Sequence, residues 1–327
     1  MDFPPLAGHR TNTFTAHKAG EFDNWEPWPN VLEQIFKPTI PRMKPAPFIR
    51  HAPKTLDEAL RLLAIYAPQD GRVLAGGQSL VPIMAFRLAK PAHLIDINDV
   101  AGLNEVMTDG KVLSIGACVR HAAFHKPVVD SPLGKLLSEV ARHIAHYPIR
   151  MRGTFCGSLA HADPASEWGL VAATLEATMV ARNTHGERLI AAADFFEGIM
   201  ATALKEDELL VEARLPLLAR DAKFGFNEFN RRAGDFAMAA ALATYRLQVG
   251  KIVEARVGIG GAEARPRRIA QAEAALDSQA PGDKVFRAAA EAAASSIDPL
   301  EDYQTTAEYR RDLVRAVVRR ALEQSGT

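Results

Sequence analysis

Val73-Leu74-Ala75-Gly76-Gly77-Gln78-Ser79-Leu80 reads as a strand that runs into a glycine turn and then into a helix. Without β-carbons, such a turn lets the backbone approach a ligand closely, and successive N–H groups can aim at one oxyanion. A helix N-terminus directly behind it adds partial positive charge. The spacing matches neither the six-residue dinucleotide fingerprint nor the nucleotide P-loop, since the glycines are adjacent and no Lys-Ser/Thr follows. Taken alone, the stretch also fits a purely structural strand–turn–helix connection.

A second stretch bears on the choice. Ile149-Arg-Met-Arg-Gly-Thr-Phe-Cys-Gly-Ser-Leu-Ala-His-Ala-Asp-Pro-Ala-Ser-Glu-Trp168 crowds Arg150, Arg152, Thr154, Ser158, His161, Asp163, Ser166 and Glu167 around Gly153 and Gly157. Donors and acceptors on a small-residue backbone suit a ligand that carries both phosphate and hydroxyl groups. A polar loop in which Asp163-Pro164 opens a turn and a helix is the other reading.

Outward from these stretches the chain alternates helix and strand. Thr55-Leu-Asp-Glu58 is a capping box ahead of Leu56, Ala59, Leu60 and Leu63 at helical spacing. Residues 72–75, 94–97 and 112–115 read as strands, and a helix is expected from about Ser79 to Leu88. Ser131-Pro132 caps an amphipathic helix through Leu133, Leu136, Leu137, Val140 and Ile144. Strands are expected over 177–182 and 209–215 around a short helix near Phe195. Pro216 to Lys223 is the best candidate domain boundary. Beyond it come strands over 224–230, 242–249 and 252–259, the last two joined by a Gly250-Lys251 turn. Alanine-rich helices follow over roughly 267–277, 283–296 and 303–324. Two α+β units result.

The 327 residues are enough for about two domains. Lys plus Arg and Asp plus Glu both total 39, so no global field gathers nucleic acid or anionic lipid. Two cysteines, Cys118 and Cys156, exclude a disulfide framework or an iron–sulfur site in this chain. No apolar run reaches the ~20 residues of a membrane span, and no signal segment is evident, so the expectation is a cytoplasmic protein. Residues 1–42 differ from the rest: six prolines and two of the three tryptophans, without periodicity, read as an irregular arm or extension.

Together the two loops resemble one family. Ala75-Gly-Gly-Gln-Ser-Leu80, Arg150-x-Arg-Gly-Thr154 and Gly157-Ser-Leu-Ala-His-Ala-Asp-Pro164 are similar to the FAD-binding medium subunit of molybdenum hydroxylases, the xanthine dehydrogenase and aerobic carbon monoxide dehydrogenase medium-subunit family. Leu94-Ile-Asp-Ile-Asn98, Ile115-Gly-Ala117 with Arg120, Glu208-Leu-Leu210, Arg231-Arg-Ala-Gly-Asp-Phe236 and Pro266-Arg-Arg-Ile-Ala-Gln-Ala-Glu273 extend the likeness over about residues 43–325. The resemblance implies an α+β protein: a two-subdomain FAD-binding fold of the vanillyl-alcohol-oxidase (PCMH) type over 43–219, then a small α+β flavoprotein C-terminal domain over 222–325.

Position by position, the resemblance implies that Val73, Leu74, Ala75, Gly76, Gly77, Gln78, Ser79 and Leu80 wrap the FAD pyrophosphate. It implies that Thr154, Gly157 and Ser158 contact phosphate or ribose, that His161 and Asp163 lie in the same cofactor loop, and that Glu167 lies near the adenosine end. Leu210 is expected near the flavin or adenine. It further implies a molybdenum-cofactor large subunit and a small subunit with 2Fe-2S clusters as partners, assembled as a dimer of heterotrimers, with this chain passing electrons from the clusters to an external acceptor. Catalytic residues and a metal site are not expected in the chain itself. Cys156 stands where relatives often carry the first glycine of a pair. Relatives' lysine ahead of the Arg-Arg pair has no counterpart in Phe226 to Arg231.

Two other readings differ in class. A self-sufficient flavin oxidase of the vanillyl-alcohol-oxidase type would need a substrate cavity with a base, for which the last domain is small. A scaffold subunit without flavin would not need near-complete glycine loops. His121 and His125, spaced i and i+4, could form a metal pair, but without the metalloprotease glutamate a solvated helix face is expected. Arg265 to Arg268 read as a solvated basic face, and Cys156, from its family context, as a small residue against the cofactor rather than a nucleophile.

Overall fold

The computed structural model describes residues 44–303 and 305–326; the expected arm over 1–42 lies outside them. The first layer is built from β1 (Ile49–His51), α1 (Leu56–Tyr66), β2 (Gly71–Leu74), α2 (Leu80–Ala85) and β3 (His93–Asp96). Strands β1 and β2 both pair in parallel with β3, in the order β1–β3–β2. Thr55 Oγ1 accepts from the N–H of Glu58 at 3.2 Å, and the Glu58 carboxylate accepts from the N–H of Lys54 at 2.9 Å. The capping box is therefore present, its return bond reaching one residue behind the cap. Helix α2 ends at Ala85, earlier than periodicity suggests, with Phe86 and Leu88 left exposed.

A second layer follows: β4 (Val106–Thr108), β5 (Val112–Gly116), α3 (Pro132–His143), α4 (Tyr147–Arg150), α5 (Phe155–His161), α6 (Glu167–Thr174), β6 (Thr178–Asn183), β7 (Gly186–Ala191), α7 (Ala192–Phe195), β8 (Phe196–Gly198), β9 (Ala201–Thr202) and β10 (Leu209–Pro216). Five of these strands make an antiparallel sheet, β4–β5–β10–β6–β7. In α3, Ser131 Oγ accepts from the N–H of Gly134 and Pro132 occupies the first turn, while Leu133, Leu136, Leu137 and Val140 are fully buried.

The C-terminal part comprises β11 (Lys223–Phe229), β12 (Ala239–Gln248), β13 (Lys251–Gly260), β14 (Arg267–Arg268), α8 (Ala270–Leu276), α9 (Asp283–Ser295) and α10 (Ala307–Ser325). Its sheet is antiparallel in chain order. Period-two alternation makes it two-faced. Phe226, Ala240 and Leu242 join the core of the preceding layers, whereas Ala239, Ala241, Ala243 and Tyr245 pack with α8 to α10 in a separate core. The N–H of Gly261 also donates to the carbonyl of Pro164 at 2.7 Å, tying this sheet to the second loop.

Three local expectations need correction. The hairpin tip is Val249-Gly250, both with positive φ, one residue before the expected pair; two consecutive left-handed residues match strand twist. Arg267 and Arg268 form β14 instead of opening a helix, because they pair with β13 and each forks onto a carboxylate: Arg267 on Glu263 at 2.6 Å, Arg268 on Glu273 at 2.6 Å. With Arg265 donating to the carbonyl of Phe196 at 3.0 Å, this stretch is an ion-paired brace rather than a solvated face.

Candidate functional site

The two glycine loops face each other. A β-carbon on Gly76 would lie 2.4 Å from the carbonyl oxygen of Arg152 and 2.7 Å from Cα of Gly153, so only glycine permits the loops to touch here. Gly77 has φ +73, the left-handed turn that swings the chain into α2. The N–H groups of Gly76, Gly77, Gln78, Ser79 and Leu80 donate to no described carbonyl or side chain. Gln78 Nε2 folds back onto the carbonyl of Gly76 at 3.2 Å.

Behind the loops lies a polar clamp. Asp96, 6% exposed, ends β3 and accepts from the N–H of Asn98 at 3.1 Å, from Asn98 Nδ2 at 2.5 Å and from Arg50 at 2.6 Å. Burial opposes its charge, but the Asn98 and Arg50 bonds together outweigh burial and hold the carboxyl below its usual range. Asn98 Nδ2 also donates to the carbonyl of Ala75 at 2.8 Å, while its Oδ1 accepts from Arg120 Nη2 at 2.5 Å. Arg120 Nη1 then donates to the carbonyl of Arg152. One chain of contacts thus runs from the first loop, through Asn98 and Arg120, to the second.

The second loop is shaped by its own side chains. Thr154 pairs with Arg120 as an antiparallel bridge and caps α5, its Oγ1 accepting from the N–H of Gly157 at 3.1 Å. Ser158 and Ser166 share a hydrogen bond at 2.7 Å, and Ser166 caps α6 by accepting from Gly169. Asp163 Oδ1 accepts from the N–H of Ala165 at 2.9 Å, closing the turn after His161, the last residue of α5. Arg150 points inward: it donates to His125 Nε2 and to the carbonyls of Ile144 and Ala145. It braces the loop's entry.

His121 and His125 lie in a 3-10 turn, and His121 is 6% exposed, which corrects the expected solvated helix face. Trp168 Nε1 donates to His121 Nδ1 at 2.9 Å. The ring proton is then on Nε2, against Gly153, where a β-carbon would sit 2.5 Å from it. Burial, then Arg120 and Arg150, pushes the imidazole down to about 4, so it is neutral. Trp168 packs at a tilt against Phe124 and Phe155, with ring centroids 5.1 and 4.8 Å apart. Among the described residues no group of three or more His, Cys, Asp or Glu could hold a metal ion.

Glu167 begins α6. Part of its surface reaches solvent, yet its carboxyl is densely surrounded by protein. Burial first, then the charges of Glu228 and Asp163, pushes it up to about 8. Cys156 is buried, its thiol donating to the carbonyl of Ile115 at 3.4 Å and raised well above the usual range by burial. Cys118 is likewise raised, to about 11. Both are packing thiols, and Cys156 lies in the core against the five-stranded sheet, which corrects the expected place against a cofactor.

The structure thus gathers residues 74–80 with Arg152 and Gly153 on one side, and Thr154, Gly157, Ser158, Asp163 and Glu167 along the adjoining loop. Leu210 stands apart: it is 4% exposed within β10, in the core of the five-stranded sheet, and no described hydrogen bond joins it to either loop. Sequence reasoning singled out neither Asn98 nor Arg120 as a site residue, nor the His121–Trp168 pair. Asn98 and Arg120 do sit in recognisable motifs, but their mutual contact and the carbonyls they hold leave no periodic signal.

Comparison with known proteins shows the family. Residues 46–218 match the family described as the FAD binding domain in molybdopterin dehydrogenase, and residues 224–325 match the CO dehydrogenase flavoprotein C-terminal domain. The chain is 36% identical over 282 residues to the nicotine 6-hydroxylase medium subunit of Paenarthrobacter nicotinovorans, covering 86% of this chain and 98% of that one. Among solved structures it superposes on carbon monoxide dehydrogenase from Hydrogenophaga pseudoflava (TM-score 0.82, 35% identity, 86% and 98% covered). It also superposes on quinoline 2-oxidoreductase from Pseudomonas putida 86 (TM-score 0.81, 35% identity, the same coverage). The chain belongs to the family of FAD-binding medium subunits of molybdenum hydroxylases.

Proposed function

We propose that this chain holds FAD non-covalently across its two facing loops and is the electron-transfer subunit of a multisubunit molybdenum hydroxylase or dehydrogenase. The observation that carries the reading is the row of five backbone N–H groups, Gly76 to Leu80, with no described acceptor, at the start of α2. Orphan donors on a tight turn suit a pyrophosphate, whose oxygens accept from them without a balancing lysine. FAD, when bound, would collect two electrons, delivered one at a time through 2Fe-2S clusters of a partner, for an external acceptor; that redox chemistry is the cofactor's.

The protein's own share is binding and positioning. Val73 to Leu80 surround the pyrophosphate. Thr154, Gly157 and Ser158 face phosphate or ribose, His161 and Asp163 complete the loop, and Glu167 reaches the adenosine end. Leu210 lends apolar surface near the flavin or adenine. The Asp96–Asn98–Arg120 clamp keeps both loops in register. A large subunit with molybdenum cofactor and a small 2Fe-2S subunit, in a dimer of heterotrimers in the cytoplasm, complete the reading. Exposed Val81, Phe86 and Leu88 directly after the first loop are apolar surface of the kind a heteromeric assembly covers. Relatives are named for nicotine, quinoline and carbon monoxide. Substrate choice is a property of the molybdenum partner, so this chain does not select among them.

The test is a visible spectrum of the purified chain before and after acid precipitation. Flavin bands that move to the supernatant are expected. Flavin retained in the pellet would favour a covalent oxidase. No flavin, and none taken up on adding FAD, would favour a scaffold subunit.

A further inference from the structure

Two imidazoles meet at the edge of the parallel sheet. Strand β1 is three residues long and pairs on one side alone, with β3. His51 Nε2 lies 3.0 Å from His93 Nδ1, so one ring N–H donates to the other ring's lone pair across these strands. Tyr66, the last residue of α1, lies flat against both. Its ring centroid is 4.2 Å from that of His51 and 4.1 Å from that of His93, with planes 23° and 22° apart. The imidazole centroids are 5.2 Å apart, so both rings sit on the same face of the phenol. Strand alternation sends Arg50 to the opposite face of the sheet, where it reaches Asp96 at 2.6 Å. Strand β1 is thus pinned twice: by a histidine pair on one face, and by an ion pair to the clamp carboxylate on the other.

The histidine bond tolerates one added proton and not two. After the first, an imidazolium N–H still donates to a neutral imidazole. The second sets N–H against N–H and charge beside charge at 3.0 Å, and the bond is lost. No charged group is placed to offset that step. Arg50, Arg72 and Asp96 alternate onto the other face of the sheet. Asp57 and Glu58 lie in the first turn of α1, at the far end from Tyr66. Arg61, Asp70 and Lys90, on α1 and in the turns before β2 and β3, are exposed. Burial, then the charge of His93, holds the His51 imidazole below its usual range. The unfolded chain therefore takes this proton at higher pH than the fold does. The pair's contribution is complete above about pH 6.5 and is lost as pH falls through the lowered folded value.

We propose that the His51–His93 pair is a pH-sensitive latch on β1, whose double protonation loosens the edge strand, draws Arg50 from Asp96 and relaxes the clamp on the first loop. The route is short. Asp96 also accepts from Asn98 Nδ2, and Asn98 holds the carbonyl of Ala75 at 2.8 Å. The proposal rests on the reading of this chain as a flavoprotein, and it makes retention of the cofactor acid-sensitive.

The experiment titrates FAD into flavin-free, full-length wild type, His51→Gln, His93→Asn and Arg50→Gln at pH 7.5 and 5.5, following flavin fluorescence. Each histidine variant keeps an amide that can bond the remaining imidazole, and removes one of the two titrating groups. At pH 7.5 both are expected to bind FAD within about threefold of wild type. Between pH 7.5 and 5.5 wild type is expected to lose about tenfold more affinity than either, as one charge-assisted bond at Asp96 is given up. Arg50→Gln cuts the link to Asp96 while keeping the pair, so it should bind more weakly at pH 7.5 and lack the extra acid loss. Parallel pH dependence in wild type and the histidine variants overturns the proposal. An extra acid loss that persists in Arg50→Gln overturns the route through Asp96. Melting temperatures of the flavin-free proteins at both pH values complete the test. If wild-type melting falls in acid more than that of the histidine variants while FAD affinity does not, the pair braces the fold only and the latch is overturned. If wild type takes up no FAD at either pH, the flavoprotein reading fails and the proposal with it; uptake with one pH dependence throughout sinks the proposal alone.

Discussion

Arg120 donates through Nη2 to Oδ1 of Asn98 at 2.5 Å, and this bond joins two loops remote in sequence. Asn98 holds the carbonyl of Ala75, and Arg120 holds that of Arg152, so each loop is fixed by the residue that also fixes the other's clamp. The planar guanidinium serves two acceptors at once, which a lysine ammonium on a flexible stem does poorly. Arg120→Lys is therefore expected to weaken FAD binding about tenfold, in keeping with ~1.5 kcal/mol for a lost charge-assisted bond. A fluorescence titration giving wild-type affinity would show that the clamp does not set the loop geometry.

Gly76 tests the contact itself. Even alanine places a carbon 2.4 Å from the Arg152 carbonyl oxygen, a distance that only backbone movement can relieve. Gly76→Ala is expected to lower the flavin content of purified protein severely and Gly76→Val to abolish it, with far-ultraviolet circular dichroism retained because Gly76 itself belongs to neither core. Full flavin stoichiometry in either variant would contradict the assignment of this loop.

Much of this architecture was legible in residue patterns, for reasons that differ by element. Helix α3 announced itself through Ser131, Pro132 and leucines at helical spacing, since capping and amphipathicity are local. The hairpin was visible in two β-rich runs, but its tip slipped by one residue because Val249 adopts a left-handed φ that its branched side chain disfavours. Arg267 and Arg268 looked helical and solvated; pairing with β13 and the flanking carboxylates of Glu263 and Glu273 decided otherwise. His121 failed in the same way. Nothing beside it in sequence reveals that Trp168 fills its Nδ1. The glycine loops were readable as a family pattern, whereas the clamp that makes them one site is a tertiary fact.

That His121–Trp168 bond gives a stability prediction. Trp168→Phe preserves most of the aromatic packing with Phe124 and Phe155 but leaves His121 Nδ1 unpaired in a buried site. A loss of about 1–3 kcal/mol is expected, and a lower melting temperature by several degrees, at roughly 2–4 °C per kcal/mol for a domain of this size. Scanning calorimetry reads it directly. A melting temperature within a degree of wild type would mean the bond contributes nothing net.

The thiols give a chemical one. Burial holds both Cys118 and Cys156 protonated, and the thiolate is the reactive form. Native protein is expected to resist a disulfide exchange reagent for hours and to react at both cysteines at once on denaturation. Rapid labelling of Cys156 in the native state would reopen the question of a nucleophile in the second loop.

Glu167 carries the pH prediction. Burial, then Glu228 and Asp163, raises its folded-state pKa to about 8, far above the usual carboxylate range of an unfolded chain. Between those two values the folded form keeps a proton that the unfolded form releases, so this group's contribution to stability falls as pH rises through the window and levels off above about 8. Glu167→Gln keeps the shape and cannot ionise. On flavin-free protein, where cofactor binding does not mask the effect, the variant should melt close to wild type near pH 5 and above it at pH 8.5. The same substitution removes a carboxyl from the proposed adenosine contact, so it should weaken FAD binding modestly even as it stabilises the empty protein. A melting difference that stays flat from pH 5 to 8.5 would mean that Glu167 is already ionised in the fold and solvated through its exposed edge.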